Sequence, residues 1–508
     1  MGAALCLALC VASCEHDAST APPGYAVVGL DNGPVTLDPR YATDAIGSQI
    51  GDLLFDGLTR LDDQARYFPH LAADWNTPDP LTFEFHLREG VLFHDGTPVT
   101  AADVKATFDS VRAPDSHSPK GASLAVIEAI DAPDPLTVRF HLREAFAPFL
   151  DATTMGILPA HAVATSPATA IAAPVGSGPF RLVEFAPDER VVLMRFEQYA
   201  ARPARLAGVI FKVVPDGLVR LLEFRRGGLD LIQSAIEPDA VAWLRQQPHT
   251  EVLTRPGTGF QYLGLNLSDP RLSDVRVRRA IAYALDRNAL IRTLLRGLAT
   301  PASGLLAPGH WAYSGDVPTY GYNPKRAAEL LDEAGYLDPD GDGPAPRFRL
   351  SYKTTTVDLR KRIAEAIQAQ LARVGIALDI RSYEWGTFYG DIKRGNFQLY
   401  SLSWVGVADP DIYFLTCHSS QVPPVGNNRG RFVDASVDAL TERARHTLDR
   451  DERARLYSET QQRVAELLPV IPLWWNTNVA VLDTRLRGFE LRADGSLQSL
   501  RDAWIEER

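Results

Sequence analysis

From Phe83 to Arg88 apolar and charged or polar residues alternate, with Phe83, Phe85 and Leu87 set against Glu84, His86 and Arg88. A period of two predicts a strand with one wet face. Asp95-Gly96 supplies turn chemistry, and Thr100 with Asp103 reads as a helix start, the Thr100 hydroxyl placed to accept an orphan amide of the first turn. The stretch from Leu81 to Phe108 therefore predicts a strand, a turn and a capped helix in that order. Its opening returns downstream: PDPLTFEFHLREG (Pro78 to Gly90) is echoed by PDPLTVRFHLREA (Pro133 to Ala145). Two copies do not make a solenoid. They predict two strands of one small sheet with the same turn entry, His86 and His141 lying on solvated faces rather than holding a metal.

Beyond Pro174 the pattern shortens. Arg190 to Phe196 and Gly208 to Val214 read as strands, followed by a helix whose apolar positions are Leu218, Leu221, Leu222 and Leu229. From Gly259 onward helices and strands alternate, which favours a mixed α/β lobe with parallel pairs. Asn323-Pro324 opens a helix that Gly335 stops, and Ile363, Ile367, Leu371 and Val374 form one apolar face ended by Gly375. Ile376, Leu378 and Ile380 then alternate as a strand, a helix runs from about Trp385 to Arg394, and Tyr400, Leu402 and Trp404 share one side of the next strand. That succession predicts a βαβ unit.

Several segments, in fixed order, resemble landmarks of the family 5 bacterial extracellular solute-binding proteins, the receptors of ABC importers. They are Thr36-Leu37-Asp38-Pro39, Phe55-Asp56-Gly57-Leu58, Leu71-Ala72-Ala73-Asp74-Trp75, the Leu81 to Phe108 stretch, Pro174 to Phe180, Tyr262 to Asn266, and a helix from Val275 to Leu290. The resemblance runs from Thr36 to about Leu482. It implies an α/β, periplasmic-binding-protein-like fold (type II, cluster C), with two main lobes around a ligand cleft and an additional small lobe. The implied division is lobe I from residues 25–57, 175–258 and 481–508, the small lobe II from 58–174, and lobe III from 259–480.

Length agrees, since 508 residues exceed what one hydrophobic core usually organises. A formal net charge of −11 argues against general attraction to nucleic acid or anionic lipid beyond local basic patches. Residues 1–13, MGAALCLALCVAS, are small and apolar and read as a signal peptide, although no Lys or Arg precedes the apolar run. Val11-Ala12-Ser13-Cys14 resembles the bacterial lipoprotein cleavage box, which implies lipidation of Cys14 and a tether over 14–24. Cys417 would then be the one unmodified cysteine of the mature chain, so no internal disulfide is expected.

The cleft of an α/β sheet forms beyond the carboxyl ends of its strands. Trp404, ending a predicted strand, is the leading candidate to touch a ligand, with core packing as the alternative. In peptide-binding members of the family an Asp three residues after this Trp holds the peptide's ammonium group; that position is Val407 here, and Asp409 matches a later acidic residue before proline, with a turn or cap role as the alternative. Trp385 could stack on a flat or apolar ligand. Phe260 and Tyr262 follow Gly257-Thr258-Gly259 and could serve the hinge or the cleft. Thr43, beside Asp44, resembles the cleft edge of lobe I, and Arg429 could offer a guanidinium to a carboxylate. Asp338, Asp340 and Asp342 alternate as in half a calcium loop, but Arg349 stands where a closing Glu is required, which favours a solvated acidic turn.

No GxSxG, HExxH or GxxxxGK[ST] occurs, and the histidines are scattered without ligand spacing. No cofactor, catalytic residue or metal ligand is expected. The reading is a receptor that captures a solute, most simply an oligopeptide, for an inner-membrane permease. It would be a monomer in the periplasm, reaching the membrane only through its lipid, with no nucleic-acid partner. The alternatives are a receptor for a non-peptide solute such as a sugar, opine or metal chelate, and a secreted hydrolase.

Overall fold

A computed structural model describes residues 21–166, 169–234, 236–341 and 343–506. The signal segment and Cys14 lie outside these residues, as does Asp342. Among the described residues one eleven-stranded sheet runs through both main lobes. Its order is Ile376–Tyr383, Phe348–Thr355, Leu399–Trp404, Thr250–Leu265, Val470–Asp483, Leu231–Gln233, Tyr25–Leu30, Gly208–Val213, Arg190–Arg195 and Phe180–Ala186, with Ala299–Pro301 added beside Val470–Asp483. The first three belong to lobe III and the last five to lobe I. Between them, Thr250–Leu265 and Val470–Asp483 pass from one lobe to the other as an antiparallel pair. Their register runs from Thr250 opposite Asp483 to Pro256 opposite Thr477, and resumes at Phe260 opposite Trp475 after an irregularity. The predicted crossover at Gly257 to Gly259 falls on that break. Each side of it has its own core: Leu263, Ile281, Ile367 and Leu399 in lobe III, Val28, Leu53, Phe180 and Leu482 in lobe I.

The repeat forms the small lobe. Ala72–Asp79 with Thr82–Leu87, and Ile127–Asp134 with Thr137–Leu142, are two hairpins joined by their second strands, Phe83 opposite Phe140 and Phe85 opposite Val138. Phe83, Phe85 and Leu87 are buried as the alternation required. The copies match in their wet faces too, where His86 pairs with Asp74 at 2.6 Å and His141 with Asp131 at 3.0 Å. The helix Ala101–Arg112 starts at Thr100, whose N–H and hydroxyl both donate to Asp103 (2.8 and 2.7 Å), and it covers this sheet with Phe108 against Phe140.

Three details depart from the sequence reading. The helix expected over Val275 to Leu290 is two, Val275–Ala284 and Arg287–Leu294, because Asp286 leaves helical geometry and caps the second by accepting the Ala289 N–H at 2.8 Å. The βαβ unit is interleaved: Ile376–Tyr383 and Leu399–Trp404 run parallel, but Phe348–Thr355 lies between them. The helix expected to carry Leu218, Leu221, Leu222 and Leu229 is Gly217–Arg225 and stops short of Leu229; Arg220 and Phe224 are buried and Leu221 packs beside them, while Leu218, Val219 and Leu222 face outward. Elsewhere the helix boundaries agree, with Asn323 capping Pro324–Glu333 and left-handed Gly335 and Gly375 following their helices. The glycines of Pro174 to Phe180 answer a close approach, since a Cβ on Gly176 would stand 2.0 Å from the Leu54 carbonyl oxygen and one on Gly178 2.7 Å from that of Leu53.

Candidate functional site

Lobe III gathers most of the residues the sequence singles out. Trp385 opens the helix Trp385–Arg394, and Tyr389 one turn later stacks on it, with ring centres 5.3 Å apart and planes inclined by 6°. The Arg429 guanidinium lies 5.5 Å from the Tyr389 ring centre and 4.7 Å from that of Trp404. At the outer end Arg360 stands 5.9 Å from the Trp385 ring. The result is a ladder, Arg360, Trp385, Tyr389, Arg429 and Trp404, in which cations and aromatic faces alternate around one aromatic pair.

The loop carrying Arg429 is pinned by buried Asn428, which donates to the His418 and Phe432 carbonyls (3.0 and 2.7 Å) and accepts the Phe432 N–H at 2.9 Å. Arg429 donates to the Tyr262 hydroxyl at 2.9 Å, the Tyr389 hydroxyl at 3.3 Å and Asn427 Oδ1 at 3.2 Å. It is only 8% exposed, and among the described residues no carboxylate forms an ion pair with it. Neutral oxygens satisfy its N–H groups but leave its charge uncompensated. Tyr262 is buried, which pushes its hydroxyl pKa up, and stacks on Phe260, their ring centres 5.8 Å apart. Phe260 has no exposed surface, so it backs the wall from behind. Trp404, directly opposite Phe260, is half-buried, and Trp385 is 52% exposed.

Asp409 belongs to a different group. Its carboxylate accepts from both terminal nitrogens of Arg453, at 2.9 and 3.3 Å, and from the Asp411 N–H at 2.8 Å. Val407 packs against the lobe III core. Opposite, on lobe II, exposed Asp151 accepts from the Tyr67 hydroxyl at 3.3 Å and has no ion-pair partner among the described residues. Its pKa is pushed up to about 6, first by the protein atoms crowded around the carboxyl, although the residue as a whole keeps contact with solvent, and then by the charge of Asp409. Lobes II and III also touch directly, through Trp311 N–H to the Gln64 carbonyl at 3.0 Å and Ala147 N–H to that of Arg445 at 2.8 Å. Thr43 is exposed on lobe I, next to Asp44, the cap of the helix Ala45–Leu54, and away from the ladder's contacts.

Sequence reasoning missed Tyr389, although its spacing from Trp385 is a legible helix-neighbour signal. It also missed Arg453 and Asp151, which carry no local signal. Among the described residues no group of His, Cys, Asp and Glu is placed to hold a metal ion. Asp338 and Asp340 serve their own turn, accepting backbone N–H groups of Asp340 and Ala345 at 3.3 and 3.0 Å. A separate hollow of about 490 Å³ is lined by His94, Arg181 and Phe196. His94 there is occupied on both sides, accepting the Gly176 N–H at 3.2 Å and facing the Gly178 carbonyl at 3.0 Å.

Two main lobes on a shared sheet, linked by two strands and joined by a small extra lobe, define a type II periplasmic-binding-protein-like fold (cluster C). Residues 66–422 match the family described as bacterial extracellular solute-binding proteins, family 5 (middle region), and the chain belongs to that family. It is 29% identical over 449 residues to the dipeptide-binding protein of Escherichia coli K12, covering 83% of each chain. With heme-binding protein A of Haemophilus influenzae the identity is 30% over 453 residues, 83% of this chain and 81% of that one. The solved structure of the oligopeptide-binding protein AppA from Bacillus subtilis, in complex with a nonapeptide, superposes with a TM-score of 0.82 at 26% identity, over 96% of this chain and 99% of that one. Among the described residues no helix is long and apolar enough to cross a membrane.

Proposed function

We propose that this chain is the receptor of an ABC importer, held at the periplasmic face by a lipid on Cys14, and that it closes lobes I and III around an oligopeptide which it passes to the permease without chemical change. Lobe limits at 25–57, 175–258 and 481–508, at 58–174, and at 259–480 fit the two linking strands and the separate cores. The observation that carries the ligand class is Arg429: a guanidinium nine-tenths buried, flanked by two aromatic rings, with no carboxylate of its own. A ligand carboxylate beside it would supply the missing charge. Asp151 is the unpaired acid available to the peptide's ammonium group, in place of the family position that is Val407 here. Exposed Trp385 gives a side chain or other flat group a surface to stack on. Closure follows if the ligand touches both lobes and so binds the closed form more tightly than the open one.

The test is mass spectrometry of small molecules released by denaturing the purified protein, alongside Arg429→Met and Trp404→Ala. Peptides released from the wild type, and an affinity about tenfold to a hundredfold lower in Arg429→Met, are expected from loss of a charge-assisted contact. Release of a sugar, opine, metal chelate or porphyrin would replace the peptide assignment and keep the receptor. A cleaved product accumulating on incubation would make the protein a hydrolase.

A further inference from the structure

The helix Gly217–Arg225 buries Phe224 and packs Leu221 inward but leaves the rest of its apolar residues outside. It turns Arg220 inward, where the guanidinium donates to the Pro215 carbonyl at 3.2 Å, and leaves Leu218 68% exposed, with Val219 and Leu222 each 47% exposed on the same side. Trp243 of the next helix, Pro238–Leu244, is 47% exposed as well, and the Arg225 guanidinium lies 5.5 Å from its ring centre, tying the two helices into one surface. Folding does not reward such a face, and exposed apolar clusters of this kind mark contact sites.

Its charge and its position both say what it meets. Arg225, Arg226 and Arg245 make no ion pair among the described residues, whereas the acids of the two helices are engaged, Glu223 with Lys212 at 3.0 Å and Asp239 with Arg296 at 2.5 Å. A chain of net charge −11 thus presents leucine, valine and tryptophan beside arginines that have no acidic partner among the described residues, Arg225 donating to the neutral Gln247 side chain. That combination suits an anionic headgroup layer, where short apolar side chains enter the interface, an indole sits at its boundary and guanidinium groups meet phosphate. Ala21 packs in the same cluster as Phe224 and Leu221 of the first helix and Ala240 and Leu244 of the second. Ala21 is seven residues from Cys14, and seven residues span at most about 25 Å even fully extended.

We propose that the surface formed by Gly217–Arg225 and Pro238–Leu244 rests on the bilayer that holds the N-terminal lipid. The proposal builds on the reading of Cys14 as acylated. It makes the membrane a second contact of the folded receptor and fixes which side of lobe I faces the lipid.

The experiment uses the full chain, purified in detergent after expression in a bacterium and placed on vesicles of phosphatidylethanolamine and phosphatidylglycerol. Leu218→Cys carries an environment-sensitive fluorophore, and Leu337→Cys, an equally exposed position on lobe III, serves as control; Cys417 is buried and stays unlabelled. The expected result is a blue-shifted, several-fold brighter signal at position 218, quenched by lipids bearing headgroup nitroxides, with no change at 337. Equal behaviour of the two labels on vesicle-bound protein overturns the proposal. A change at 218 that requires a reconstituted permease also overturns it, by making this surface a transporter contact. The mass of the N-terminal peptide separates the two readings: no acyl group on Cys14 removes the anchor and the proposal with it, whereas an acylated chain with an unresponsive label removes the proposal alone.

Discussion

Asp409 is the position where a ligand role and an internal role can be told apart by stability. The side chains of Asp409 and Arg453 are each 6% exposed, and both carboxylate oxygens accept from the guanidinium. Arg453 also donates to the Ala444 carbonyl at 3.1 Å and lies 5.5 Å from the Trp311 and Tyr457 ring centres. Removing one member leaves the other as an uncompensated buried charge, which costs about 3–5 kcal/mol. Asp409→Asn keeps the shape and one acceptor, so its loss belongs near 3 kcal/mol on that scale. Arg453→Met strips the charge from a site where Asp409 also faces Asp411 and Asp151, which places it near 5 kcal/mol. The double variant Asp409→Leu with Arg453→Met removes both charges and recovers most of the loss. The assay is urea unfolding at pH 7 followed by tryptophan emission, with Trp311 beside the pair, and a double-mutant cycle gives the coupling. An Asp409→Asn protein within about 0.5 kcal/mol of wild type, with ligand affinity collapsed, would refute the reasoning and give Asp409 a direct contact with the ligand instead of an internal role.

Other expectations follow from single contacts. Burial lowers the His94 pKa from 6.5 to about 4, and Nδ1 accepts the Gly176 N–H, so the folded chain refuses a proton that the unfolded chain takes up. As pH falls from 6.5 toward 4 the wild type should lose roughly 3 kcal/mol that His94→Gln retains, measured by unfolding at several pH values. Asp151 behaves oppositely. With its pKa raised from 3.8 to about 6 it holds a proton that the unfolded chain releases, so its contribution is present below pH 3.8 and is lost as pH rises through 6. Asp151→Asn should therefore raise the melting temperature relative to wild type at pH 8 and leave it unchanged at pH 3.5. Gly176→Ala puts a methyl against the Leu54 carbonyl and should cost about 1–3 kcal/mol in a thermal melt, whereas the same change at Gly386, where nothing lies within 4 Å, should not destabilise.

What could be read in advance was what neighbours in sequence decide. The alternation at Phe83 to Leu87, the Asn323 cap and the glycines after helices each rest on a few adjacent residues, and each stands in the structure as expected. The split at Asp286 was visible in principle, since Asp before Arg287 is itself a cap. The apolar positions Leu218, Leu221, Leu222 and Leu229 do not by themselves say which way each turns: Leu221 packs inward and Leu229 is buried beyond the helix end, while Leu218 and Leu222 stay outside and Arg220 finds backbone carbonyls within. The Asp409 environment was not legible at all: Arg453 comes from a helix 44 residues later, and Asp151 from another lobe. Trp404, Trp385, Tyr262, Phe260 and Arg429 are brought into one cluster by strand pairing and one pinned loop, neither of which composition encodes.

The pairing of Leu231–Gln233 with both Tyr25–Leu30 and Val470–Asp483 sets a timetable for the newborn chain. Lobe I begins with the first strand and stays unfinished until Leu482 has been made and can meet Leu231. The small lobe draws on a compact run of sequence and can condense early, while the strand edge at Leu231–Gln233 waits, unpaired on one side. Until Val470–Asp483 has been made, the edge that later joins the two lobes is open, and an open strand edge is a template for wrong pairing with another chain.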